Sequence, residues 1–145
     1  MTLTLQLSCY NGARYLPYLF ASLKKQTFRD WKIVVLDNAS VGADVDDIRR
    51  YVAESGLPIE LFRLEKNIGF AGAHNFLFTK HQSDYVQLLN DDAFLESDYL
   101  EKVIGYLERH SECAAVSGRI YRWDFEGRDQ PSGGRTTIVD SLGLE

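Results

Sequence analysis

The residues Trp31, Lys32, Ile33, Val34, Val35 and Leu36 are apolar at every position but one, and the run then stops on Asp37 and Asn38. A strand covered by helices on both faces reads in this continuous way, whereas a strand with one wet face alternates. Such a run predicts a parallel sheet inside an α/β layer arrangement. Tyr85, Val86, Gln87, Leu88 and Leu89 form a second mainly apolar run, hydrophobic on both faces, and it stops on Asn90, Asp91 and Asp92.

The stretches between and around these runs supply the remaining elements. Leu3, Leu5 and Leu7 alternate with Thr4 and Gln6, the period of a strand, and Ser8, Cys9, Tyr10, Asn11 and Gly12 break it. Leu16, Leu19, Phe20 and Leu23 recur at helical spacing, with Pro17 in the first turn and an end near Gln26. A second helix is predicted over 45–54, where Asp44, Asp46 and Asp47 place negative charge at its start and Gly56 and Pro58 follow its end. A strand over 59–64 precedes a glycine-punctuated loop from Lys66 to Gly72, and a helix runs from there to about Lys80 with Ala73, Phe76 and Leu77 inward. Ser97 reads as the N-cap of a helix carrying Leu100, Val103, Ile104 and Leu107 to about His110, and 114–121 reads as a fifth strand. The resulting expectation is an α/β fold: a mainly parallel sheet with flanking helices, built of right-handed βαβ units. Ligands in such sheets bind beyond the carboxyl ends of the strands, where Ser8, Asp37 and Asn90 all fall.

Composition narrows the function. The chain has 145 residues, a formal charge of −5 and no basic cluster longer than Lys24 and Lys25, so no nucleic-acid partner is expected, because such a partner demands a basic face. Cys9 and Cys113 show neither metal-ligand nor disulfide spacing, which suits a reduced cytoplasmic setting. No apolar run is long enough for a transmembrane segment, and peripheral attachment at the inner face of a membrane would have to come through sequence outside this chain.

Asn90 and Asp92 alternate with Asp91, so in extended chain they face one way and Asp91 the other. A hard cation such as Mg²⁺ or Mn²⁺ takes only one or two carboxylates and completes its shell with phosphate oxygens and water, which makes Asp92 the candidate ligand. A plain turn explains the same residues equally well. Asp37 ends a strand where a dinucleotide-binding fold also places an acid, but the first loop lacks G-x-G-x-x-G and no phosphate-binding P-loop occurs. His74, His81 and His110 share no metal spacing and read as helix-surface residues. Cys9 reads as a small buried residue. Tyr10 suits either a stacked base or the core.

Five blocks then carry a resemblance. Ser8 to Gly12, then Gln26, Thr27 and Phe28, then Val34 to Ser40, then Asn67 to Gly72, then Leu89 to Ala93, in this order and spacing, resemble the donor half of the family 2 glycosyltransferases of the GT-A fold, most closely the rhamnosyltransferase-like branch. The resemblance implies that residues 1–121 form the nucleotide-sugar-binding core and that 122–145, a polar tail, begin an acceptor-side region. It implies that Ser8 and Tyr10 lie against the base, that Asp37 accepts from a pyrimidine ring N–H, and that Asn67 and Gly72 line the nucleotide and sugar. Asn90, Asp91 and Asp92 correspond to the DxD motif that anchors ribose and a metal-bridged diphosphate, with Asn90 replacing the usual first acid by a neutral amide. The implied donor is a UDP- or dTDP-sugar, with rhamnose or a related sugar transferred to a polysaccharide or glycolipid acceptor. The family's catalytic base follows the fifth strand on a segment expected beyond Glu145, and no residue here is assigned to it. A non-catalytic nucleotide- or partner-binding module is the alternative, and a nucleotidyltransferase of related architecture a weaker third.

Overall fold

A computed structural model describes residues 2–118 and 120. The elements run β1 Leu3–Cys9, a single 3-10 turn Ala13–Tyr15, α1 Leu16–Lys24, β2 Trp31–Asp37, α2 Ala43–Glu54, β3 Ile59–Arg63, α3 Gly69–Phe78, β4 Tyr85–Asn90 and α4 Tyr99–Arg109. The 3-10 turn takes up the stretch before Pro17, which sits in the first turn of α1, where its missing N–H removes no helical bond. Two compact units divide the chain, one of Met1–Glu101 and one beginning at Lys102.

The four strands form one sheet of order β3-β2-β1-β4, with every pairing parallel. Winding runs outward from β1 through β2 to β3 and then reverses to place β4 on the other side of β1. Because parallel crossovers are right-handed, this reversal carries α3 to the face opposite α1 and α2. There Ala73 and Leu77 pack on Val34 and Leu36, with Phe62, Leu64 and Phe76 at the margin. Leu3, Leu5 and Leu7 of β1 are at most 1% exposed, as are Thr4 and Gln6 on its other face, so the central strand is covered on both sides.

Two sequence expectations change. Residues 114–118 form no strand; among the described residues only Ile120 makes an isolated bridge, and 119 and 121 lie outside them. β4 is not covered on both faces within the described residues: it stands at one edge of the sheet, and Leu88 is 42% exposed. An apolar run becomes a ladder only where a neighbouring strand offers its backbone, and nothing local to 114–118 specifies one.

Candidate functional site

The gap between β1 and β4 is the point where the winding reverses, and open α/β sheets bind ligands outside the strand ends at such a point. Ser8 pairs in register with Asn90 across it, and Cys9 pairs with Asp37 on the other side. The exits of β1, β2 and β4 therefore meet at one edge.

The β1 and β2 exits are laced together. Asn38 donates its N–H to the Cys9 carbonyl at 2.8 Å, Asn11 donates its N–H to Ser40 Oγ at 3.0 Å, and Asn11 Oδ1 accepts from Val41 N–H at 3.0 Å. Asn11 (φ 54°) and Ala39 (φ 72°) both hold left-handed backbone. Asparagine tolerates that conformation, whereas alanine adopts it only under constraint from its surroundings.

Asp37 is buried and doubly engaged. Its Oδ1 accepts from Ser40 N–H at 2.8 Å, its Oδ2 pairs with Arg63 Nη1, and Arg63 Nη2 donates to the Ser40 carbonyl at 3.1 Å. A carboxylate offers about four lone-pair sites, so a further donor can still be accepted. Arg63 went unnoticed in the sequence because its partner is set by register: it stands directly opposite Asp37 on β3.

The third exit joins the same lattice. Asn38 Nδ2 donates to Asn67 Oδ1 at 3.0 Å, Ile68 N–H donates to Asn38 Oδ1 at 3.1 Å, and Gly69 N–H donates to Asn67 Oδ1 at 2.8 Å. The carbonyl end of Asn67 is thus committed to the loop. A Cβ on Gly72 would lie 3.3 Å from Ile68 Cβ and Cγ1, so this glycine lets the loop residue Ile68 close over the first turn of α3.

At the end of β4, Asn90 and Asp92 are exposed and Asp91 is half-buried, and the turn closes with Ala93 N–H on the Asn90 carbonyl at 3.2 Å. Burial raises the Asp91 carboxyl above its ordinary range, while a bond from the Cys9 thiol works against the rise. Burial, and next the charge of Asp91, push the Cys9 thiol well above the usual cysteine value, which makes it an inert proton donor rather than a nucleophile. Among the described residues no three His, Cys, Asp or Glu side chains form a metal cluster. An exposed carboxylate beside an exposed amide nevertheless fits a hard cation whose remaining ligands are diphosphate oxygens and water, not an all-protein cage.

Beyond the turn, Gln26 is fully buried and binds the chain that leaves the motif. Its Nε2 donates to the Glu96 carbonyl at 2.7 Å and its Oε1 accepts from Leu100 N–H at 3.1 Å, while Thr27 N–H donates to the Ser97 carbonyl at 2.8 Å. His74, expected on a helix surface, is 3% exposed, with Nδ1 3.0 Å from Gln6 Oε1, because it lies three residues before the inward Leu77. Tyr10 is 50% exposed at the rim of the edge and is not part of the core.

Comparison with known proteins agrees with this arrangement. The family model for glycosyl transferase family 2 matches residues 5–140. The glycosyltransferase YwdF of Bacillus subtilis, itself uncharacterized, is 29% identical over 121 residues, covering 81% of this chain and 44% of YwdF. The chain spans less than half the length of such relatives. In structure, TarS of Staphylococcus aureus, a poly(ribitol-phosphate) β-N-acetylglucosaminyltransferase solved with UDP, superposes with a TM-score of 0.66 at 22% identity, over 77% of this chain and 33% of that one. The mannosyltransferase PcManGT of Pyrobaculum calidifontis, solved with GDP-Man and Mn²⁺, gives the same TM-score and identity over 72% of this chain and 32% of its own. Among the described residues no helix is long and apolar enough to cross a membrane. The fold is the GT-A, Rossmann-like arrangement of these neighbours, and the chain belongs to glycosyl transferase family 2.

Proposed function

We propose that residues 1–121 form the donor-binding core of a glycosyltransferase that takes a UDP- or dTDP-sugar with Mn²⁺ or Mg²⁺, and that 122–145 begin the acceptor side. The reading extends to transfer of rhamnose or a related sugar to a polysaccharide or glycolipid of the cell envelope. It is supported most by one observation: exposed Asn90 and Asp92 stand at the winding reversal, paired through Asn90 with Ser8 near the end of β1.

The roles follow from chemistry at that edge. Asp92 supplies the carboxylate that holds the cation, and Asn90 offers a neutral amide to a ribose hydroxyl. Ser8, near the end of β1, and Tyr10, just beyond it, meet the base, with the exposed ring of Tyr10 as a stacking surface. Asp37, braced by Arg63 and Ser40, accepts from the ring N–H of uracil or thymine. Asn67, its carbonyl engaged, presents its amide donors to the nucleotide, and Gly72 keeps the adjoining loop close against α3. A bound cation would neutralise charge on the diphosphate leaving group. TarS binding UDP and PcManGT binding GDP-Man with Mn²⁺ support a nucleotide–metal site on this fold without deciding the base.

Calorimetric titration with UDP, dTDP and GDP, each with Mn²⁺ and with chelator, tests the reading. The expected result is metal-dependent binding of UDP or dTDP in preference to GDP, weakened about 10-fold or more in Asp92→Ala. Equal binding of all three nucleotides, or binding of none, overturns it.

A further inference from the structure

We infer that Asp91 is a positioning residue that clamps the turn after β4 onto the β1 exit loop, and that Gly12 is glycine because the clamp occupies the space of its side chain. The inference rests on the donor-site reading and gives Asp91 a role inside the protein in place of contact with the nucleotide-sugar.

The geometry is specific. A Cβ built on Gly12 would lie 1.8 Å from Asp91 Oδ2 and 2.6 Å from its Cγ, so the carboxyl rests directly on the glycine backbone. Gly12 has φ −117°, which any residue adopts, so backbone freedom does not explain it. What the position excludes is volume. The carboxyl also faces the buried Cys9 thiol of β1, and the two groups act on each other electrostatically. Asp91 itself belongs to the turn, closed by Ala93 N–H on the Asn90 carbonyl, that carries Asp92 outward. Cys9 in turn offers its carbonyl to Asn38 N–H, so the clamp ties the metal-side turn to the base-side loops through a single buried residue.

A residue that orients a metal ligand from behind is expected to matter about 10-fold or more for the metal-dependent part of binding. The test compares UDP affinity in Mn²⁺ with UDP affinity in chelator, alongside thermal unfolding. In Asp91→Ala and in Gly12→Ala the gain given by Mn²⁺ is expected to fall about 10-fold or more, while binding in chelator stays within about threefold. The double variant G12A/D91A should be no worse than Asp91→Ala alone, since the clash is gone, and it should recover the unfolding midpoint lost in Gly12→Ala. Asp91→Asn keeps an acceptor oxygen in the same place and is expected to retain most of the Mn²⁺ gain. Loss in Asp91→Asn equal to that in Asp91→Ala would instead make Asp91 a direct ligand and overturn the clamp. Additive losses in the double variant, or a fully tolerated Gly12→Ala, also overturn it. If the wild-type chain shows no Mn²⁺ gain at all, the donor reading fails and takes the functional half of the inference with it, while the unfolding cycle alone then decides whether the clamp exists.

Discussion

Gln6 is fully buried on β1 between two imidazoles, and the hydrogen bonds around it have only one consistent direction. Ser83 Oγ–H donates to the Tyr85 carbonyl at 2.9 Å, which leaves its oxygen to accept from His81 Nδ1–H at 3.3 Å. His81 Nε2 then accepts from Gln6 Nε2 at 2.8 Å, and Gln6 Oε1 accepts from His74 Nδ1–H at 3.0 Å. Both rings are neutral Nδ1–H tautomers in this scheme. Burial lowers both imidazoles below the ordinary value of 6.5, with Lys32 adding to the effect at His81. The unfolded chain therefore takes up these protons first. The stabilisation is complete above about pH 6.5 and is lost as the pH falls from there toward the folded values. Urea unfolding at about pH 7.5 and about pH 5.5 should show a clear fall in stability, shallower in His81→Asn; equal stability at both pH values would contradict the scheme. None of this chain was legible in the sequence. Helical spacing singled out Ala73, Phe76 and Leu77, but a polar residue between them reads as surface until its partner on another strand is known. The Asp37–Arg63 pair was hidden for the same reason, since only the order of strands makes the two residues neighbours.

Gln26 matters at the scale of elements. It follows the last apolar residue of the α1 period and belongs to one of the blocks that carry the family resemblance, yet sequence alone gave it no task. In the structure it holds the segment from the β4 turn into α4 by two bonds to backbone, a buried one to Leu100 and a part-buried one to Glu96. Gln26→Ala leaves the Leu100 N–H without its partner and takes one of two donors from the Glu96 carbonyl, which keeps Tyr99 N–H at 3.0 Å, and is expected to cost about 1–3 kcal/mol. Chemical denaturation measures this, and a cost under about 0.5 kcal/mol would show that the segment is held by something else. The four strands and four helices of the described residues were readable because each carries its own periodicity and its own stop signal. The strand expected over 114–121 was not realised at 114–118, because strand formation depends on a partner's backbone and not on the run itself. The exposure of Leu88 has the same origin: an edge position is a property of sheet order, which the local pattern of β4 does not contain.

For the molecule as a whole, the organising fact is the reversal of winding between β1 and β4. It brings the exits of β1, β2 and β4 to one edge, where hydrogen bonds from Cys9 through Asn38 to Asn67 tie the loops into one lattice. Asn90 and Asp92 stand outward on that lattice, with Asp91 turned in beneath them. The central claim of the proposed function is that Asp92 holds the cation against the diphosphate while Asn90 beside it meets the ribose. Paramagnetic broadening by Mn²⁺ in amide NMR spectra addresses it most directly. In the presence of UDP, the amides around Asn90 and Asp92 and those of the adjoining β1 exit loop should broaden first, and Asp92→Ala should abolish the effect. Broadening centred on another part of the chain, or identical broadening without UDP, would contradict the account.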